Sequence, residues 1–291
     1  MPLIASEDYV PELLSLVEAH DVAAVLPLTD LDGAELVSAR DELARLGATL
    51  FLPDAAVVDA LFDKHACHLL LRERGIGSPD TWLPDEVPED AETPLLVKQR
   101  WGWASRNIHR CETREQLDFF LDYVRVPAMV QRLCGGEEFS IDVLCDLEGR
   151  ALNAIPRTMI ESKGGESIKG MTIKDAELID FARTVAEALP IWGPANVQCF
   201  REPDGTHQVT DVNPRFGGGF PLPLAAGGRY PELALQLANG EQPEVRVGDF
   251  LEGVVMTRFF SHLCLTADDA GTLEPFAEEV PEPIASEPGE A

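Results

Sequence analysis

The hydrophobic positions of the first 60 residues follow a helical period that short apolar runs interrupt. Apolar residues recur at helical spacing over 9–20 and again over 32–46, where Gly47 ends the pattern. The runs at 22–28 and 49–52 are largely apolar, which is typical of buried strands. Because strands and helices alternate, this region predicts a parallel sheet with helices on its faces.

Apolar strands and amphipathic helices also alternate along the rest of the chain, so the predicted fold class is α/β. Predicted helices cover residues 63–74, 113–124, 175–189 and 230–238. Predicted strands cover residues 95–98, 130–133, 135–143, 151–157 and 253–265. Residues 157–172 contain glycines beside charged residues and are predicted to form a loop.

One segment combines a hairpin pattern with candidate metal ligands. The runs 196–200 and 208–213 flank a Pro-Asp-Gly turn, which predicts an antiparallel hairpin. Side chains alternate along a strand, so Asp211 and Asn213 share a face on which Gln198 can join them. One carboxylate and two amides suit Mg²⁺, which completes its shell with water and phosphate oxygens. An edge hairpin with a solvated acid is the alternative, and the residues alone leave both open.

Arg215 follows this hairpin and precedes three consecutive glycines. Its guanidinium and the glycine backbone are donors that can approach an anion closely. A metal ion, a phosphate and a cation are the parts of a phosphoryl-transfer site.

Composition argues against several classes of protein, including membrane proteins and nucleic-acid-binding proteins. The chain has 291 residues, 45% of them hydrophobic, which is enough for a core and two or three subdomains. No apolar run approaches the roughly 20 residues that cross a bilayer, and no signal-peptide pattern opens the chain, so a cytoplasmic protein without membrane contact is expected. A net charge of −28 argues against nucleic acid as a partner. The six cysteines lack CxxC spacing and are expected to be buried thiols.

The acidic excess has two open explanations, a salt-rich cytoplasm and a GC-rich genome. Part of it lies at the C-terminus, where residues 266–291 are acidic and rich in proline. This segment is expected to be a disordered solubility tail, with docking on a basic partner as the alternative.

The motif DVNPRFGGG that begins at Asp211, together with Gln198, resembles the metal-binding end of ATP-grasp enzymes, especially the branch of the carbamoyl phosphate synthase large subunit. The resemblance covers roughly residues 9–265 and rests on the order and spacing of several short motifs. Most of that family carries Glu where this chain has Asp211, and the shorter side chain can still bind one Mg²⁺ ion.

The resemblance implies a role for each matching residue. It assigns Lys64, Lys98 and Ser105 to the ATP phosphates. It assigns Gln131, Arg132 and Leu133 to adenine, and Glu138 to the ribose. Mg²⁺, with Mn²⁺ as the alternative ion, is assigned Gln198, Asp211 and Asn213. Arg215 is the catalytic cation, and Arg157 and Glu166 are expected on the substrate side of the cleft.

The resemblance also implies an ATP-grasp fold with lobes of the α+β type, preceded by a truncated Rossmann-like domain, and a division of the chain. Residues 1–60 match part of the Rossmann-like domain that precedes the ATP-grasp fold; residues 61–130 match the N-lobe; residues 131–265 match the C-lobe with the metal site; and residues 266–291 form the tail. The first strand and helix of the preceding domain have no counterpart here. A gene start placed too far downstream, a partner subunit or a reduced version of the fold are the alternatives for those strands, and a homo-oligomer is also open.

The function implied is an ATP- and Mg²⁺-dependent ligase that activates a small carboxylate as an acylphosphate for attack by an amine. One alternative is phosphorylation of bicarbonate or carbamate, as in carbamoyl phosphate synthase. The other is a non-catalytic or partner-dependent ATP-binding subunit.

Overall fold

The computed structural model describes residues 1–102, 107–163 and 166–259 of the chain, without the side chains of Lys163 and Glu166. Its strands form a two-stranded, a four-stranded and a six-stranded sheet. The predicted contact at Ser105, the end of the predicted strand 253–265 and the acidic tail lie outside these residues. Within them, no helix is both long and apolar enough to cross a membrane.

The N-terminal segment is a small unit of helices and two parallel strands. It contains α1 (Tyr9–Ala19), β1 (Ala24–Val25), α2 (Asp30–Leu36), a 3-10 turn (Val37–Ala39), α3 (Arg40–Arg45) and β2 (Thr49–Leu50). The prediction of one helix over 32–46 is wrong, because the 3-10 turn divides it. The helical segment also begins earlier, at Asp30, because Thr29 and Asp32 form a capping box there. The predicted parallel pairing is present, over shorter strands than expected.

A four-stranded antiparallel sheet follows, in the order β3-β6-β4-β5. Its elements are α4 (Ala55–Phe62), α5 (Lys64–Glu73), β3 (Thr81–Trp82), a 3-10 turn (Pro84–Glu86), β4 (Leu95–Gln99), β5 (His109–Cys111), α6 (Arg114–Tyr123) and β6 (Ala128–Arg132). The side chain of Thr113 caps α6 by accepting the backbone N–H of Gln116. Leu117 of α6 is fully buried against Leu95 and Val97 of the sheet.

The larger sheet has six strands in the order β11-β10-β7-β8-β9-β12. Its elements are β7 (Glu137–Cys145), β8 (Ala151–Lys163), β9 (Glu166–Thr172), α7 (Ala176–Ala188), β10 (Gly193–Arg201), β11 (His207–Asn213), α8 (Pro221–Ala225), α9 (Tyr230–Ala238) and β12 (Val255–Thr257). The predicted loop over 157–172 is wrong. β8 and β9 pair there as an antiparallel hairpin. β9 also pairs with β12 on its other side.

The two faces of the large sheet differ in polarity. Inward residues such as Ile141, Val143 and Val197 pack on Leu178 and Val185 of α7 in the largest apolar cluster. The opposite face carries the polar side chains of the same strands, since successive residues alternate. Lys64 of α5 contacts this polar face at Asp211, and the face positions the candidate site.

Candidate functional site

Two rows of polar residues cross the large sheet at neighbouring positions. The first row holds Asp211 of β11, Gln198 of β10, Ser140 of β7 and Arg157 of β8. The second row holds Asn213, Asn196 and Asp142 on β11, β10 and β7. The predicted hairpin therefore forms in a register that sets Gln198 beside Asp211. A bulge between Gln198 and Cys199 shifts the register toward the turn.

Lys64 contacts this face from the first turn of α5. Its Nζ donates to both carboxylate oxygens of Asp211 at 2.9 Å, although the two residues lie 147 positions apart in the chain. Both side chains are only 19% exposed. Burial alone would lower the pKa of Lys64, but the charge and hydrogen bonds of Asp211 outweigh it and raise that pKa. The pair thus keeps a buried ammonium charged.

The position of Lys64 follows from the start of its helix. Asp63 is the N-cap, and its carboxylate accepts the backbone N–H groups of His65 and Ala66 at 3.0 and 3.4 Å. Arg100 forms an ion pair with the same carboxylate, and the carbonyl of Arg100 accepts the N–H of Lys64. Asp63 therefore connects the start of α5 to Arg100, which follows β4.

Lys98 forms the second cationic position. Its Nζ donates to Oε1 of Gln131 at 2.7 Å, and the amide of Gln131 donates to Thr81. Burial and the nearby charge of Lys64 lower the pKa of Lys98 to about 8, against the opposing charges of Asp211 and Glu138. Burial also raises the pKa of Glu138, although Lys98 opposes this rise. Four ionisable groups from different elements therefore influence one another here.

The predicted metal ligands are adjacent and fit a nucleotide-bound Mg²⁺ ion. Asp211 is one carboxylate, Gln198 lies directly beside it on β10, and Asn213 follows on the same face. Within the described ranges, no group of three or more His, Cys, Asp or Glu side chains could hold a metal. A single carboxylate with amides suits an ion that keeps several water and phosphate ligands. The donor set therefore favours Mg²⁺ that arrives with a nucleotide.

Arg215 contacts a residue from the N-terminal segment. Its Nε and Nη2 donate to the two oxygens of Asp30 at 2.8 and 2.9 Å. Nη2 also donates to Oδ1 of Asn213 at 3.1 Å, and Nη1 donates to the carbonyl of Phe216. The predicted catalytic cation thus lies next to a predicted metal ligand.

Arg157 lies in the interior, which disagrees with the prediction that it faces a substrate. It is 2% exposed, and its Nε donates to Asp142 at 3.0 Å while Nη1 donates to Ser167. Asn196 donates to the other oxygen of Asp142 and to Ser140. The strand pairing that replaces the predicted loop turns Arg157 toward Asp142. A buried ion pair of this kind is a structural feature.

The glycines after Arg215 cover this ion pair. A Cβ at Gly217 would lie 2.7 Å from Asp142 and from Asn196, and a Cβ at Gly219 would lie 2.5 Å from the guanidinium carbon of Arg157. Any side chain at these two positions would collide with the buried polar network. The close approach of backbone to side chains explains these two glycines.

The predicted adenine contacts are only partly available in this conformation. The backbone N–H of Arg132 donates to the backbone carbonyl of Asp80 at 2.9 Å, and that of Leu133 donates to the backbone carbonyl of Pro94 at 3.3 Å. The side chain of Arg132 forms an ion pair with Glu202 at 2.8 Å. Gln131 is 2% exposed, and its side chain accepts a hydrogen bond from Lys98.

Two of the predicted contacts cannot be placed. Ser105 lies outside the described residues, and Glu166 begins β9 with a side chain that is also outside them. Sequence reasoning missed Asp30, Asp142, Asn196 and Glu202. For Asp142 a signal exists, because Glu138, Ser140 and Asp142 alternate with apolar residues and mark one face of β7 as polar.

Comparisons with known proteins agree with this fold. Residues 125–258 match the model of a family described as ATP-grasp in the biosynthetic pathway with Ter operon. The C-terminal section of the carbamoyl phosphate synthase large chain from Methanopyrus kandleri is 27% identical over 260 residues, which cover 80% of this chain and 47% of that protein. The chain thus spans about half the length of this curated relative.

Solved structures resemble most of the chain. The biotin carboxylase domain of Hydrogenobacter thermophilus 2-oxoglutarate carboxylase, in complex with MgADP, ADP and bicarbonate, aligns with a TM-score of 0.70 at 14% identity over 88% of this chain and 62% of that one. The L-amino acid ligase of Bacillus licheniformis aligns with a TM-score of 0.62 at 20% identity over 87% and 63% of the two chains. The predicted ATP-grasp fold is confirmed.

Proposed function

We propose that this chain is an ATP- and Mg²⁺-dependent ligase that joins a small carboxylic acid to an amine and releases ADP. The observation that carries this proposal is the contact of Lys64 with both oxygens of Asp211, beside Lys98 and Glu138. Two of the five lysines in a chain of net charge −28 lie there: Lys64 bonds to Asp211, and the charge of Asp211 also acts on Lys98. This concentration of positive charge in an acidic chain fits a polyphosphate ligand.

The reaction has two steps. First, an oxygen of the substrate carboxylate attacks the γ-phosphorus, the bond from that phosphorus to the β-γ bridging oxygen breaks, and ADP leaves. Next, the amine attacks the carbonyl carbon of the acylphosphate, and the amide forms as inorganic phosphate and a proton depart. Catalysis of phosphoryl transfer depends on positioning and on electrostatic stabilisation of charge on the phosphoryl oxygens.

The residues of the chain supply most of that stabilisation. Lys64 and Lys98 would hold the phosphates, and Arg215 would stabilise the transferring group. Mg²⁺ held by Asp211, Gln198 and Asn213 would neutralise charge on the β and γ oxygens. Lys64 would exchange its contact with Asp211 for a phosphate oxygen when ATP binds, because the ion occupies the same carboxylate. Glu138 would accept the ribose hydroxyls.

The similar proteins support this class of reaction. The two solved structures are of a carboxylase domain in complex with MgADP and of an amino acid ligase. For this chain the proposed partners are a small carboxylic acid and an amine, without nucleic acid or membrane. A homo-oligomer or a partner subunit is compatible with the same chemistry.

Phosphorylation of bicarbonate or carbamate is the second candidate. It is favoured by the carbamoyl phosphate synthase relative and by the bicarbonate anion bound in the carboxylase structure. A nucleotide-binding subunit without catalysis is the third, favoured by the ion pair that occupies Asp211. The three differ in what stimulates ADP release: an acid with an amine, bicarbonate, or nothing.

The test is Mg²⁺-dependent ADP release by the purified chain. The panel contains amino acids, other small carboxylic acids and bicarbonate, each with and without an amine. Stimulation by one acid in the presence of an amine, with an amide in the products, is the expected result. Stimulation by bicarbonate alone would favour the second candidate. ATP binding without ADP release across the panel would favour the third.

The lowered pKa of Lys98 predicts a pH dependence for ATP use. The kcat/KM for ATP should fall as the pH rises through about 8, because deprotonated Lys98 no longer attracts the phosphates. The Lys98→Arg variant keeps its charge over this range, so its profile should stay flat between pH 7 and about 9. Identical profiles for the two proteins would exclude Lys98 as the titrating group.

A further inference from the structure

We propose that Asp30, a residue of the N-terminal segment, is a positioning residue for Arg215. This inference rests on the proposed function, in which Arg215 stabilises the transferring phosphoryl group. It assigns the N-terminal segment a part in the reaction, because one of its side chains sets the orientation of a catalytic cation 185 positions away.

The contact between the two side chains is specific in geometry. Both oxygens of Asp30 accept from Arg215, at 2.8 and 2.9 Å, in the paired arrangement that fixes the plane of a guanidinium. The side chains are 16% and 17% exposed, so little water competes for the contact. Exposed pairs contribute little, but a pair that is mostly buried and doubly bonded holds its geometry.

Four of the five guanidinium N–H groups are engaged within the described part of the chain. Asp30 takes two, Asn213 takes one and the carbonyl of Phe216 takes one. The remaining N–H is on Nη1, and the other four bonds determine its direction because the guanidinium is rigid and planar. Asn213 and Phe216 alone would leave the guanidinium free to turn about its contacts at Nη1 and Nη2.

Asp30 is itself held in place. It is the first residue of α2, whose capping box joins Thr29 and Asp32, and Asp32 also accepts the hydroxyl of Tyr9 at 2.9 Å. This unit is anchored on the large sheet by Phe51, which packs so closely on Gly193 that a Cβ there would lie 2.7 Å away. The carboxylate of Asp30 therefore reaches Arg215 from a fixed support.

The Asp30→Asn variant tests this role. It preserves the size of the side chain but removes its charge and one of its acceptors, so Arg215 can rotate. We expect kcat for ADP release to fall by about 10- to 100-fold, the usual effect of losing a group that orients a functional side chain. The KM for ATP should change by less than about threefold, since Arg215 acts on the transferring group and Lys64 and Lys98 bind the phosphates.

A double-mutant cycle separates positioning from a structural effect. In the Arg215→Ala background, Asp30→Asn should change kcat by less than about twofold, because the group that Asp30 orients is gone. Asp30→Glu keeps the charge and should recover part of the activity. The matched control is Asp41→Asn, which removes the charge of an exposed residue of α3 in the same N-terminal segment. It should leave kcat at 25 °C within about twofold of the wild type.

Two results would overturn the inference. One is a kcat for Asp41→Asn that falls as far as that for Asp30→Asn. The other is an Asp30→Asn effect of undiminished size in the Arg215→Ala background. If the wild-type chain releases no ADP with any acid, the proposed function fails, and the positioning role is then tested on the orientation of Arg215 in crystal structures of the wild type and of Asp30→Asn. A guanidinium of Arg215 that keeps its plane and its contacts with Asn213 and Phe216 in Asp30→Asn would overturn the positioning role.

Discussion

Replacing Asp211 by asparagine is expected to reduce Mg²⁺-dependent ADP release by about 100- to 1,000-fold, the cost of removing one strong electrostatic stabiliser from a transition state. Asparagine preserves the shape of the side chain and offers one oxygen, but it removes the only negative charge among the three proposed metal ligands. It also removes the counterion of Lys64, whose pKa Asp211 raises against the effect of burial. Lys64 would then lose part of its charge, which weakens phosphate binding as well.

The matched control for this variant is Asp204→Asn. Asp204 lies in the turn of the same hairpin, where it is exposed and bonds to Thr206. ADP release is measured for both variants over a range of Mg²⁺ concentrations, with their melting temperatures. The control should match the wild type within about twofold. An Asp211→Asn enzyme that retains a third or more of wild-type activity at the same Mg²⁺ concentration would remove Asp211 from the metal site.

Replacing Arg157 by leucine is expected to lower the free energy of unfolding by about 3 to 5 kcal/mol, because it leaves the carboxylate of Asp142 buried without its partner. The two side chains are 3% and 2% exposed. Ser167 and the Nδ2 of Asn196 also lose or change their bonds in this network. Urea denaturation measures the difference, and activity should fall too, because Gly217 and Gly219 rest on the same network.

The control here is Arg246→Leu. Arg246 pairs with Glu244 and Asp249 at the surface, where its side chain is 55% exposed, so its loss should cost less than about 1 kcal/mol. The Asp142→Leu/Arg157→Leu double variant removes both buried charges and should regain part of the stability that Arg157→Leu loses. An Arg157→Leu variant as stable as Arg246→Leu would contradict the structural role assigned to the buried pair.

The sequence was sufficient to predict the hairpin that carries Asp211. Its period of two, its Pro-Asp-Gly turn and the polar residues on one side are local features, and local features determine which side chains share a face. The same holds for Lys64, since Asp63 is a good N-cap and the helix that follows is amphipathic. The resemblance to a family assigned Lys64 and Asp211 to one site, but their direct contact was not predicted.

The sequence was insufficient where tertiary contacts determine the secondary structure or the partner of a side chain. The segment 157–172 contains glycine and charged residues, yet it forms strands because neighbouring strands on both sides supply hydrogen-bond partners. Arg157 was expected on the substrate side of the cleft, and the strand pairing directs its side chain to Asp142 instead. The contact of Asp30 with Arg215 joins two segments 185 residues apart, and no local pattern encodes it.

The glycines after Arg215 show both what the sequence can predict and what it cannot. The three glycines after Arg215 were predicted to approach an anion, and two of them, Gly217 and Gly219, mark a real requirement for a small residue. At Gly217 and Gly219 the close neighbours are Asp142, Asn196 and Arg157 of the chain itself. The pattern thus identified where space is limited, and only the structure showed what limits it.

The most direct test of the central claim is oxygen transfer from the carboxylic acid that stimulates ADP release. The acid is labelled with ¹⁸O in its carboxylate, the reaction is run with ATP, Mg²⁺ and the amine, and the phosphate is analysed by mass spectrometry. Attack of the carboxylate on the γ-phosphorus predicts one ¹⁸O atom in each inorganic phosphate, with ADP as the nucleotide product. Unlabelled phosphate, or AMP and pyrophosphate as products, would contradict an acylphosphate route.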